Sequence, residues 1–315
     1  SNFQHCNWLQ VQDNAADQYH HIPLHTTAVV PGHEQGTTFG EAGAAPYLVR
    51  PDLQFFPVHN GTGMAWTSSR RVDDEKIFIR VNHQALPNLS FHSYLFEDGT
   101  EKKHFSRLHM IRWTVPVDDT NSKMIGWRVV GKNIDPREVG TKHLIGYETI
   151  DFLEGQVAMR RPERATYGQG EKPPIPKDHR DRDCYKDAQY APGDYEVIIT
   201  QRPIAVHALE RPMKADGGVY LFRKLLREAV NGGNKDAAPE AIREWLKSVN
   251  ATPNSYCSGH VLEVPAAETL EDEVKRRRDV ARAVIDVLHD SDELKGAERT
   301  KMVTARLEEI EKTVR

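Results

Sequence analysis

The sequence of 315 residues has little cysteine and no long apolar run. Its three cysteines, Cys6, Cys184 and Cys257, lie far apart and form no C-x-x-C pair. This spacing argues against a disulfide framework and favours a reducing, cytoplasmic compartment. No apolar run approaches the roughly 18 residues that a membrane helix needs, and no signal peptide is evident. We therefore expect no membrane among the partners of this protein.

The sequence also lacks a large excess of either positive or negative charge. The formal net charge is −4, and no basic stripe runs along the chain, which argues against nucleic acid as a partner. Apolar residues make up 38% of the sequence and charged residues 28%. This composition is typical of globular proteins, and the length suits one large or two small domains.

Short segments rich in β-branched and aromatic residues follow one another through the first half of the chain, separated by turn-forming pairs such as Asn60-Gly61 and Asp98-Gly99. The predicted strands span residues 53–58, 63–69, 76–81, 91–96, 104–115, 124–130 and, much later, 256–264. Because the first six are joined by short loops without helices, they predict an antiparallel meander.

Helices are predicted on either side of this strand region. The predicted helices span residues 7–19, 216–231, 238–249 and 268–315, and the predicted long loops span residues 26–50 and 155–192. In the last helical region apolar residues recur at steps of three and four, as at Val303, Leu307 and Ile310. Such a stripe indicates a seam for packing or for oligomerisation.

The stretch from Asn7 to His25 carries the candidate chemistry. Asp17 and His20 lie three residues apart in the predicted helix 7–19, so they share a face. Pro23 breaks that helix and lets His25 return toward His20. Two imidazoles and one carboxylate are the ligand set of many non-haem Fe(II) oxygenases. A chance His-x4-His pair stays open as an alternative, and the adjacent His21 leaves the register ambiguous.

The same stretch resembles the catalytic-domain signature of Rieske non-haem iron oxygenases, N-W-L-Q-x-x-E-N-x-x-D-x-x-H-x4-L-H. This chain departs from it in Asp13, where Glu is usual, and in the extra histidine. The resemblance implies that His20 and His25 bind iron and that Asp17 bridges toward the Rieske cluster of a neighbouring subunit. Asn14 is a candidate for the wall of the iron pocket, or an ordinary amide on the helix surface.

A third ligand is implied much later in the chain. Asp194 stands at a predicted helix start, where its carboxylate could simply cap backbone N–H groups. In the oxygenases an acidic residue precedes a Pro-Ile pair, a Glu and an Arg, and the offsets from Asp194 to Pro203-Ile204, Glu210 and Arg223 match without a gap. The resemblance therefore implies Asp194 as the third iron ligand, with His207 as an open alternative.

A Rieske [2Fe-2S] cluster needs a C-x-H and a C-x-x-H pair, and this sequence contains neither. The sequence also begins almost inside a motif and without Met. We expect it to be the catalytic part of a longer polypeptide, with the cluster on a missing N-terminal domain, or one chain of a split system. Residues 1–265 are interpreted as the mononuclear iron domain and residues 266–315 as a helical C-terminal extension.

The resemblance implies an α+β helix-grip fold, in which an antiparallel sheet packs on a long helix, and a homotrimer supplied with electrons by a ferredoxin or reductase. Residues 61–71 and 113–120 resemble the branch of phthalate dioxygenases and lignin-fragment O-demethylases. The implied function is O2 activation at Fe(II) to hydroxylate or O-demethylate an aromatic substrate, expected to be carboxylated. The alternative is a helix-grip protein that binds an apolar small molecule without metal or catalysis.

Overall fold

The computed structural model describes residues 2–20, 51–93, 102–106, 108–128, 194–232 and 254–314, which form nine strands and five α-helices. In chain order these are β1 (Asn2–Gln4), α1 (Trp8–Ala16), β2 (Asp52–Val58), β3 (Gly63–Arg71), β4 (Lys76–Ala85), β5 (Leu89–Ser93), β6 (Lys103–Ser106), β7 (Leu108–Asp118), β8 (Asn121–Arg128), α2 (Asp194–Thr200), α3 (Gly217–Val230), β9 (Ser258–Glu263), α4 (Leu270–Asp290) and α5 (Gly296–Val314). Within these residues, none of the helices has the length and apolarity required to cross a membrane.

All nine strands belong to one sheet in which each pair is antiparallel. The strand order is β1-β8-β7-β5-β4-β3-β2, and β9 pairs with both β4 and β6. This architecture confirms the predicted α+β class with an antiparallel sheet. The predicted strand 104–115 is wrong in one respect: it is two strands, because β6 hydrogen-bonds to β9 whereas β7 bonds to β5 and β8.

One face of the sheet packs against the two C-terminal helices. Ile77, Ile79 and Val81 alternate along β4 and enter the same buried cluster as residues of α4 and α5, as the two-residue period of a strand requires. Val303 and Leu307 of the predicted apolar stripe are fully buried in this cluster. The stripe therefore serves packing within the chain.

The opposite face of the sheet supports α1 and α3. Met64 and Trp66 of β3 pack in a buried cluster with Ala16 of α1 and Phe222 of α3. Polar contacts reinforce this packing, since Gln84 on β4 donates a hydrogen bond of 2.8 Å to the carbonyl of Gln12 in α1. Helix α1, which leads to the candidate ligands, is thus fixed directly on the sheet.

Asn7 begins α1 as predicted, because its side-chain oxygen accepts the backbone N–H of Leu9 at 3.0 Å. The predicted end of the helix is wrong. Helix α1 stops at Ala16, and Asp17 follows with extended backbone. Asp17 and His20 therefore do not share a helical face, and a turn brings them together instead. The predicted helix 238–249 and the predicted loops 26–50 and 155–192 lie outside the described residues.

Candidate metal centre

The turn after α1 orients His20. One carboxylate oxygen of Asp17, Oδ1, accepts the backbone N–H of Tyr19 at 2.9 Å and of His20 at 3.4 Å, in the manner of an Asx turn. The other oxygen, Oδ2, lies 3.6 Å from Nδ1 of His20. We assign the neutral tautomer with its proton on Nδ1, where the carboxylate attracts it, so that Nε2 presents its lone pair on the far side of the ring.

Asp194 faces that lone pair. It is the first residue of α2, and its Oδ1 lies 3.4 Å from Nε2 of His20. The imidazole is 13% exposed and the carboxylate 36% exposed. Metal bonds of about 2 Å place adjacent ligands of an octahedral ion about 3 Å apart. A buried imidazole nitrogen and a carboxylate oxygen at this separation therefore fit a shared metal ion of the kind that nitrogen and oxygen donors bind.

The electrostatics of the two groups match this geometry. Burial lowers the pKa of His20, but the adjacent carboxylate of Asp17 and the charge of Asp194 outweigh burial, so the pKa is raised. Burial raises the pKa of Asp17, but the hydrogen bond and charge of His20 outweigh it and lower the pKa. Because protons and metal ions compete for the same nitrogen, metal binding at His20 should weaken as the pH falls.

The structure describes some of the other predicted site residues and leaves others outside the described ranges. His25 and the adjacent His21 lie outside the described residues, and among the residues described no group of three His, Cys, Asp or Glu side chains could hold a metal ion. Asn14 is half-buried on α1. His207, the alternative ligand, is 46% exposed, with its Nε2 4.0 Å from Glu210. His20 and Asp194 are thus the predicted ligands that the described structure brings together.

A charge network that the sequence analysis did not predict lies beside α1. Arg223 of α3 contacts the carboxylate of Asp13 at 2.6 Å and that of Glu210 at 2.7 Å, with two or more hydrogen bonds to each. All three positions belong to the stretches that resemble the oxygenases. The sequence signal for these three residues is their position in the motifs. No local pattern shows that side chains so distant in sequence form a single network.

Comparison with known proteins adds one relative. No protein-family model matches the chain. The chain is 33% identical, over 312 residues and 99% of its length, to the tert-butanol monooxygenase / tert-amyl alcohol desaturase oxygenase subunit of Aquincola tertiaricarbonis. This chain is homologous to an oxygenase subunit. It spans 60% of the length of that relative.

Proposed function

We propose that this chain is the catalytic domain of a Rieske-type non-haem iron oxygenase, with His20, His25 and Asp194 as ligands of a mononuclear Fe(II) ion. The observation that carries the proposal is the 3.4 Å separation between Nε2 of His20 and Oδ1 of Asp194. Their motif positions predict both residues as ligands, and they meet although His20 lies in the turn after α1 and Asp194 begins α2. Homology to an oxygenase subunit supports the same conclusion.

A bound Fe(II) ion would supply the open coordination sites and the redox chemistry that activate O2. The residues of this chain hold the ligands in place. Asp17 keeps the proton of His20 on Nδ1, and α2 delivers Asp194 to the opposite nitrogen. Asp17 is 33% exposed, which suits its proposed second role as the bridge from a neighbouring subunit. We further propose a homotrimer and a ferredoxin or reductase, which deliver two electrons through a [2Fe-2S] cluster outside this chain.

Two substrate classes follow from different observations. Residues 61–71 and 113–120 resemble enzymes that act on aromatic carboxylates and methoxylated aromatics. The relative is named for tert-butanol and tert-amyl alcohol, which favours monooxygenation of a small, branched alcohol. Calorimetric titration of the Fe(II)-loaded chain with phthalate, a methoxybenzoate and tert-butanol should show saturable binding of one class. Equal binding by metal-free protein would favour the alternative function, a helix-grip protein that binds an apolar small molecule without catalysis.

The decisive experiment measures metal content. The purified chain is reconstituted with Fe(II) under anaerobic conditions, next to His20→Ala, His25→Ala and Asp194→Ala. We expect about one iron per chain in the wild type and loss of iron in all three variants. His207→Ala serves as the matched control and should keep its iron. Iron retained in Asp194→Ala but lost in His207→Ala would reassign the third ligand, and wild-type protein without iron would overturn the proposal.

A further inference from the structure

The side-chain amide of Gln10 joins α1 to the end of α2. Gln10 is 3% exposed. Its Nε2 donates to the carbonyl of Ile198 at 3.3 Å and to the carbonyl of Arg202 at 3.0 Å, and its Oε1 accepts the N–H of Ala205 at 2.9 Å. One buried side chain therefore satisfies three backbone groups of a segment that is almost 200 residues away in sequence.

Gln10 adds to the hydrogen bonds of this backbone. Ile198 lies in the last turn of α2, where its carbonyl also accepts the N–H of Gln201 at 3.3 Å, whereas the carbonyl of Arg202 and the N–H of Ala205 lie beyond the helix. The chain then reverses through Arg202, which has a φ of +82°, a region that favours glycine. By bonding to carbonyls before and at this reversal and to an N–H after it, Gln10 holds the reversal in one conformation.

Two further contacts attach the same elements. The N–H of Asn7 donates to the carbonyl of Pro203 at 2.7 Å, and Val11 packs with Ile198 in a buried cluster. Helix α1 leads at its other end to Asp17 and His20, whereas α2 begins at Asp194. The separation between the two candidate ligands therefore depends on how α2 is seated on α1, and Gln10 makes the densest set of polar contacts across this junction.

We propose that Gln10 is a positioning residue for the metal centre, because its amide sets the placement of Asp194 relative to His20. This inference rests on the proposed function, since it assigns Gln10 to the same iron site. Removing the amide should leave both ligands in the chain but misplace α2. Changes of this kind in groups that orient metal ligands typically weaken metal binding by about 10- to 100-fold.

The test compares Gln10→Met with Gln84→Met in the full chain. Gln84 is also fully buried, and its amide also donates to α1, at the carbonyl of Gln12, but this bond connects α1 to the sheet. Co(II) affinity is measured by its visible absorption, and hydrogen exchange of residues 194–205 is measured on metal-free protein. We expect Gln10→Met to bind Co(II) at least about tenfold more weakly and to exchange faster in this segment. Gln84→Met should stay within about twofold of wild type in both readouts.

Wild-type Co(II) affinity in Gln10→Met, or equal weakening in both variants, would overturn the positioning role. If Gln10→Met does not fold, Gln10→Glu replaces it, since the carboxylate has the same size but faces two carbonyl oxygens. Failure of wild-type protein to bind Co(II) would instead defeat the proposed function. The exchange measurement separates these cases, because it reports the seating of α2 without any metal.

Discussion

Arg223 is the residue on which the charge balance beside α1 depends. Its side chain is 8% exposed and pairs with the carboxylates of Asp13 and Glu210. The hydrogen bond from Arg223 lowers the pKa of Glu210, whereas burial raises the pKa of Asp13. Without the guanidinium, two neighbouring carboxylates would face each other in a partly buried site, which is a costly arrangement.

We predict that Arg223→Met lowers the free energy of unfolding by about 3 kcal/mol, the usual cost of removing one partner from a buried ion pair. Lys224→Met is the matched control on the same helix, since Lys224 is 64% exposed and lies 3.8 Å from Glu228. That change should cost less than about 0.5 kcal/mol. Urea unfolding at neutral pH measures both values, and similar losses in the two variants would contradict a special role for Arg223.

The tautomer of His20 depends on Asp17, so a substitution of this single residue tests the candidate metal centre. In Asp17→Asn the amide oxygen would still accept the N–H of Tyr19, so the amide NH2 would face Nδ1 of His20. An NH2 group donates, which favours the tautomer with the proton on Nε2, the atom that faces Asp194.

We therefore predict that Asp17→Asn, although conservative in size, weakens Fe(II) binding by about tenfold or more and at least as much as Asp17→Ala. Anaerobic titration with Fe(II) gives the two affinities. Wild-type affinity in Asp17→Asn would show that Nδ1 does not donate to Asp17. The bridging role of Asp17 toward a neighbouring cluster is a separate prediction, tested by turnover of the complete oxygenase.

At the scale of elements, what the sequence could predict depended on local periodicity. Strands β2, β3 and β4 are rich in β-branched and aromatic residues and are bounded by turns, and the sequence predicts their limits to within about four residues. Strand β1 has three residues, too few for a two-residue period to register. The end of α1 was missed because Asp17 offers its own carboxylate to the backbone, an Asx turn that competes with the helix.

The candidate site, too, could be predicted from the sequence only in part. Motif spacing predicts the types of the ligands and their positions in the chain. Their meeting came from the packing of α2 onto α1 through Gln10, which is contact between distant segments. The split of residues 104–115 into β6 and β7 has the same origin, since it depends on which strand each half pairs with.

Glu311 attaches α5 to the sheet. It is 3% exposed, and its Oε2 accepts hydrogen bonds from Lys102 at 2.7 Å and from His104 at 3.0 Å. Its Oε1 accepts the N–H of Glu263 in β9 at 2.8 Å. Burial raises the pKa of Glu311, but these hydrogen bonds outweigh burial and hold the pKa below the ordinary value of 4.5.

A carboxylate with a lowered pKa stabilises the folded protein above its unfolded pKa and loses that effect as the pH falls through its folded pKa. We predict that Glu311→Gln is less stable than wild type by about 2 kcal/mol at pH 7, and that the difference shrinks below pH 4.5. Urea unfolding across this range measures it. Glu309→Gln, at a position 68% exposed on the same helix, is the matched control and should cost less than about 0.5 kcal/mol at pH 7.

For the whole molecule, the question is whether residues 266–315 unfold separately from the rest. The buried cluster on one face of the sheet includes Val284 and Leu288 of α4 together with Ile79 of β4. Apolar side chains from both parts therefore exclude water from one another. Parts that share a core should unfold in one cooperative transition, whereas an independently folded extension would unfold by itself.

Leu288→Ala distinguishes these two cases. Leu288 is fully buried, so the change should cost about 3 kcal/mol through lost burial and the cavity left behind. All five tryptophans precede residue 266. The four in the described residues, Trp8, Trp66, Trp113 and Trp127, lie on α1 and the sheet, so their fluorescence reports this part of the protein. We predict that the fluorescence midpoint in urea shifts together with the helical circular dichroism signal. Leu270→Ala, at a position 79% exposed on the same helix, should shift neither. A circular dichroism shift with an unchanged fluorescence midpoint would mean that α4 and α5 fold as a separate unit, despite their side chains in the shared cluster.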